Sequence, residues 1–110
     1  MKKAYIGEFE EVILSMIGSL KEDAYGAAIA QEIETRLKRD VNISAVHITL
    51  YRLQDKGFVK SSFGGSTGER GGRRKRIYTI TPAGVAMLKA VKQKRTELWK
   101  MIPQLKMSGI

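Results

Sequence analysis

Two short alternating runs, FVKSSF (58–63) and KRIYTIT (75–81), flank the eleven residues GGSTGERGGRR, five of them glycine. Alternation of apolar and polar residues over six or seven positions is the signature of a half-buried strand. In the second run it sets Ile77 and Thr79 on one side and Tyr78 and Ile80 on the other. The segment between the runs has too little apolar surface to fold by itself. The stretch is therefore a β-hairpin with a long glycine-rich tip, and whatever precedes and follows it must supply the core.

What precedes it reads as three helices. In EFEEVILSMIGSL the residues Phe9, Val12, Ile13, Met16, Ile17 and Leu20 recur at steps of three and four and share one helix face. KEDAYG breaks the pattern, and Asp23 is placed to cap a second helix from about 24 to 39, with Ile29, Ile33 and Leu37 on one side and Arg36, Lys38 and Arg39 in its last turn. DVNIS is a short extended connector, and Ser44 is the expected cap of a third helix, AVHITLYRLQDKG. Val46, Leu50 and Leu53 lie within about 60° of one another on its projection and form the buried stripe. Ser44, Ile48, Tyr51, Arg52 and Asp55 face the other way, with Ala45 and His47 on the flanks, and Gly57 closes the helix.

After the hairpin, Thr81 is set to cap a fourth helix that starts at Pro82, where a missing N–H costs nothing. Its residues Leu88, Val91, Arg95, Leu98, Ile102 and Leu105 follow an alternating three-four spacing, the pattern of a coiled-coil-like seam interrupted by one arginine. Met87, Trp99 and Met101 widen the apolar side beyond what one small domain needs, and Pro103 ends the helix.

Charge is segmental. Residues 1–59 hold eight basic and nine acidic side chains, a net of −1, whereas residues 60–76 and 77–110 each hold six basic residues against one glutamate, a net of +5 apiece. A basic surface concentrated in a short loop favours a polyanionic partner through counterion release, although a charge run without context is usually a solvated face. The absence of cysteine excludes disulfides and thiolate chemistry, and a lone histidine excludes a multi-histidine metal site. No nucleotide-binding glycine fingerprint or nucleophile constellation is present, so catalysis is not expected, nor is a cofactor. No apolar run reaches the twenty or so residues of a membrane span and no cleavable leader is evident, which points to a cytoplasmic chain with no membrane contact.

Helix, helix, helix, two strands with a basic tip, then a long amphipathic helix is the winged helix-turn-helix order: mostly α with a small two-stranded β-wing. In that architecture the third helix enters the major groove and the wing reaches phosphates or the minor groove. The stretch GERGGRRKRIYTITPAG (68–84) resembles the wing signature of the PadR family of bacterial transcriptional regulators. The likeness extends through IGEFEEVILSMI, DAYGAAIAQEIE and ITLYRLQDKGFV, and covers about residues 6–88. It implies a homodimeric repressor on a palindromic operator, released by a small effector or another signal. The single helix after the wing resembles that of the shorter subgroup, whose members dimerise through it. His47, Ile48 and Tyr51 stand where the family more often has a tyrosine, a proline or small residue, and an acidic residue.

Residues 1–81 are accordingly expected to be the DNA-binding domain and 82–110 a dimerisation helix, forming one unit. The expected contacts to double-stranded DNA come from Tyr25, from Ser44, Ala45, His47, Ile48, Tyr51 and Arg52 on the recognition helix, and from Arg70, Gly71, Gly72, Arg73, Arg74, Lys75 and Arg76 in the wing. Ile48 is suited to a thymine methyl, and Tyr51 and Arg52 to base edges or phosphates. Leu88, Val91, Arg95, Leu98, Trp99 and Ile102 are the expected dimer seam. Trp99 there is an interface anchor, and on the family resemblance also a wall for a planar hydrophobic effector. Arg95 on an apolar seam needs a partner or an outward path. The rival reading is a winged-helix module that meets RNA or an acidic protein surface.

Overall fold

The computed structural model describes residues 6–64 and 75–103. Its elements are α1 (Glu8–Leu20), a single 3-10 turn (Lys21–Asp23), α2 (Gly26–Leu37), α3 (Ile43–Asp55), β1 (Val59–Phe63), β2 (Arg76–Ile80) and α4 (Pro82–Lys100). The strands pair antiparallel with Val59 opposite Ile80 and Phe63 opposite Arg76. Helix α1 is the centre: α2, α3, β2 and α4 all pack on it. Ile13 and Leu14 of α1, Ile29 and Ile33 of α2, and Val46, Leu50 and Leu53 of α3 are fully buried, with Phe58, Val59 and Tyr78 closing the core from the hairpin.

Several local expectations change. Asn42, not Ser44, caps α3: its side-chain Oδ1 accepts from the Ser44 N–H at 2.7 Å and the Ala45 N–H at 3.3 Å, so the helix begins two residues earlier and Ser44 lies inside its first turn. Both residue types cap well, and the asparagine that comes first in the chain takes the position. Asp23 does not cap α2. It sits in the 3-10 turn, and Tyr25 occupies the N-cap position in extended conformation with no side-chain cap at all. At the far end α2 stops at Leu37, with Lys38 in the left-handed conformation (φ 53°). Arg39 therefore lies beyond the helix, where its guanidinium meets the Glu8 carboxylate at 2.8 and 3.0 Å. Leu14 and Thr49, outside the apolar stripes expected for α1 and α3, are buried as well. A central helix packed by neighbours on more than one side has a wider buried face than one seam supplies.

The acidic first turn of α1 touches three other parts of the chain. Glu8 pairs with Arg39, Glu10 with Lys56 beyond the end of α3, and Glu11 with Arg95 in the middle of α4. Burial opposes ionisation of Glu10, but the Gly7 N–H and the Lys56 ammonium outweigh it and hold the carboxyl below its ordinary value. A depressed folded-state pKa contributes stability that is present at neutral pH and lost as the group protonates.

The hairpin joins the helices at one crowded point. Gly57 closes the turn after α3 with φ 81°, and the Phe58 N–H returns to the Leu53 carbonyl at 2.9 Å. The Thr81 N–H donates to the Phe58 carbonyl (3.0 Å), and the Thr81 hydroxyl donates to the Gly57 carbonyl (2.7 Å) while accepting from the Gly84 N–H (3.1 Å). Thr81 thus caps α4, with Pro82 as its first residue. Gly84 is buried because a Cβ there would run into the Phe58 carbonyl oxygen and lie 2.7 Å from Ile80 Cγ1.

Gly84→Ala should cost about 2 kcal/mol by overpacking against backbone, lowering the melting temperature by roughly 10 °C. Gly18→Ala, with nothing within 4 Å of the new methyl, should raise stability by about 0.5–1 kcal/mol; thermal melts of the two variants check both signs. The stability gap between wild type and Glu10→Gln should be full at pH 7 and close as pH falls below about 4, which denaturant titrations across that range will measure.

Candidate nucleic-acid interface

On α3 the face away from the core carries exposed His47, Ile48, Tyr51 and Arg52, with Ile48 at 51% and Tyr51 at 58% exposure. Ser44 is exposed in the first turn and Ala45 is half-buried. Large apolar and aromatic side chains held in water by a helix otherwise anchored through Val46, Leu50 and Leu53 add nothing to the core formed by the described residues, which is the condition expected of a binding surface.

The start of α2 and the base of the wing lie beside this face. Tyr25, Gly26, Ala27, His47, Tyr51, Lys75, Arg76 and Tyr78 line one open cleft of about 450 Å³. The close approach of α2 and α3 depends on Gly26, since a Cβ at that position would sit 2.6 Å from the His47 ring. The Tyr78 N–H donates to the Ala24 carbonyl at 2.9 Å and fixes β2 against the entry to α2. Lys75 then places its ammonium 4.2 Å from the centre of the Tyr25 ring, a cation–π contact between wing and helix. Arg76 turns across the hairpin instead: its guanidinium lies 4.9 Å from the Phe63 ring and donates to the Ser61 hydroxyl at 3.1 Å. Arg70, Gly71, Gly72, Arg73 and Arg74 fall outside the described residues.

Three contributors to this region were not singled out from the sequence. Gly26 matters by making room for His47, which only the helix crossing reveals. Phe63 supports Arg76, a cross-strand pairing that requires the register. Tyr78 was assigned to a strand side but not to the cleft; its phenol, which needs a polar outlet when the ring is buried, is the signal that could have pointed there.

Helix α4 leaves the head after its first turns. Met87 and Leu88 pack against the core and Val91 is half-buried, whereas Leu98 (55%), Trp99 (50%), Met101 (72%) and Ile102 (40%) are exposed. Arg95 finds the partner its position demanded: both of its terminal nitrogens bind the Glu11 carboxylate, one of them at 2.9 Å. The pair is partly solvated, so its direct worth is about 1 kcal/mol or less, and its fork joins the middle of α4 to the first turn of α1.

The transcriptional regulator PadR-like family model matches residues 13–90. The chain belongs to this family, whose members are transcriptional regulators that bind DNA. Among solved structures, it is similar to a PadR family transcription regulator from hypervirulent Clostridium difficile R20291, with 28% identity, a TM-score of 0.70, and coverage of 90% of this chain and 98% of that one. It shares its fold with a transcriptional regulator from Clostridium thermocellum (23% identity, TM-score 0.68, 91% and 97% covered). The fold also matches a PadR-like regulator from Bacillus cereus strain ATCC 14579 (22% identity, TM-score 0.70, 88% and 89% covered). No curated protein matched the chain in the sequence comparison. Among the described residues no helix is long and apolar enough to cross a membrane.

The Gly26–His47 contact gives a direct check of the helix crossing. Gly26→Ala meets a ring that can swing, so the melting temperature should move by only a few degrees. The imidazole resonances of His47, the sole histidine, should nonetheless shift clearly in a heteronuclear NMR spectrum.

Proposed function

We propose that the protein is a homodimeric transcriptional repressor that reads a palindromic operator. The observation that carries this reading is the alignment of the exposed α3 face, the α2 entry and the Lys75 wing base along one cleft. Such a surface suits a helix laid in the major groove with flanking contacts to the backbone. Phosphate contacts from Tyr25, Lys75 and the tip residues Arg70, Arg73 and Arg74 would fix register, and His47, Ile48, Tyr51 and Arg52 would carry base preference. Repression, as opposed to activation, rests on the likeness to the family.

Dimerisation is assigned to α4. Leu98 and Trp99 on α4, with Ile102 just beyond its last residue Lys100, form an apolar stripe left exposed among the described residues, and a two-fold pairing would cover the same stripe on both copies. Two recognition helices would then address successive major grooves about 34 Å apart. Trp99 and its symmetry mate would form the walls of a hydrophobic cleft suited to a planar effector. An effector there could act on DNA affinity by changing how α4 is seated relative to the heads it joins.

Two measurements test the assignment. If the dimer neutralises about six to eight phosphates, log affinity should fall with log salt at a slope near −6. Arg73→Ala with Arg74→Ala should weaken operator and random duplexes alike and make that slope shallower; an unchanged slope would remove the wing from the phosphate contacts. Trp99, the sole tryptophan, should shift its fluorescence to the blue as protein concentration rises through the dimer dissociation constant. A spectrum independent of concentration, together with a monomeric sedimentation coefficient, would move the interface off α4.

A further inference from the structure

Two consecutive residues ahead of α2 hold the wing at two separate places. The Tyr78 N–H donates to the Ala24 carbonyl at 2.9 Å, and three residues back along the chain the Lys75 ammonium lies 4.2 Å from the centre of the Tyr25 ring. Three residues of extended chain span about 10 Å. The hydrogen bond alone would leave the hairpin to pivot about Ala24, whereas a second attachment that far from it sets an angle. The backbone that carries Lys75 is itself tied down: the Gly64 N–H donates to the Lys75 carbonyl at 2.6 Å, and the next residue, Arg76, is folded over Phe63 and Ser61. Lys75 is exposed and makes no ion pair among the described residues, nor does any carboxylate among them line the cleft around it. The face of the Tyr25 ring is thus the negative partner offered to its ammonium.

We infer that Tyr25 is a positioning residue for the wing: its ring, through the Lys75 ammonium, sets the angle at which the hairpin meets the duplex. The inference rests on the DNA-binding reading above and adds to it a role for the ring that is separate from any phosphate contact of the Tyr25 hydroxyl. A cation–π contact takes one side of an ammonium and leaves its other N–H groups to solvent or to an acceptor. A wing already held at the angle of the complex loses less freedom on binding, which raises affinity without a new contact. Because the contacts proposed for the wing are to the backbone and not to base edges, the gain falls on operator and random duplexes alike.

The test compares the full-length wild type with Tyr25→Phe and Tyr25→Leu, two variants that separate the ring from the hydroxyl. Ring current should place the Lys75 ε-methylene protons upfield of those of other lysines in wild type and in Tyr25→Phe, and return them to the common position in Tyr25→Leu. Relative to Tyr25→Phe, Tyr25→Leu should bind a promoter duplex and a random-sequence duplex about two- to fivefold more weakly, the factor of an exposed cation–π contact. Lys75 signals that coincide with those of other lysines in wild type, or equal or reversed affinities of the two variants, overturn the inference while the DNA-binding reading stands. If wild type itself binds no duplex, it is the DNA-binding reading that fails, and this inference with it. Should Tyr25→Leu not fold, phenylalanines carrying one, two or three ring fluorines at position 25 decide, because they keep the shape while weakening the negative face of the ring. Affinity falling stepwise with fluorine number supports the inference, and a flat series overturns it.

Discussion

Three segments converge on the Phe58 carbonyl, and the working geometry of the molecule depends on that junction. The end of α3 arrives through the left-handed Gly57, β1 departs from Phe58, and α4 begins at Thr81, whose N–H and hydroxyl bind the Phe58 and Gly57 carbonyls. Gly84 lets the first turn of α4 lie directly on this backbone. Backbone-to-backbone contact has no side chain to flex, so the recognition helix, the wing and the long helix are coupled with little play. A change in the direction of α4 must therefore be transmitted to the wing base or absorbed by breaking these bonds.

A second, softer tie lies at the other end of the α4–head contact. The Glu11–Arg95 pair joins the midpoint of α4 to the first turn of α1, whose neighbours Glu8 and Glu10 hold Arg39 and Lys56. Ion pairs at the surface are screened and weak, in contrast with the buried junction at Gly84. One rigid attachment and one weak attachment describe a lever: α4 is fixed at its root and adjustable at its middle. In the proposed dimer, that is where a signal at the α4 seam would meet the least resistance.

Much of this was legible in the residues. Three-four periodicity located all four helices, strand alternation separated Tyr78 and Ile80 from Ile77 and Thr79, and Thr81-Pro82 marked the start of α4, because each of these signals is local in sequence. The misplaced caps of α2 and α3 show where local rules compete: Asp23 and Ser44 are good caps in isolation, but the 3-10 turn and Asn42 decide the boundaries. What sequence could not supply was proximity across elements. Arg95 looked like an interruption in an apolar seam until Glu11, far away in the chain, was brought beside it. Gly26 and Phe63 acquire their significance only from the α2–α3 crossing and the hairpin register.

In the proposed dimer the α3 face and the adjoining cleft engage duplex DNA as a two-fold pair. Footprinting of the purified protein on the promoter region of its own transcription unit tests it most directly. Two protected segments related by a dyad are expected, centred about one helical turn apart and flanked by protected backbone from the wings. Protection without two-fold symmetry, or no protection of any duplex while a folded RNA is bound, would contradict it.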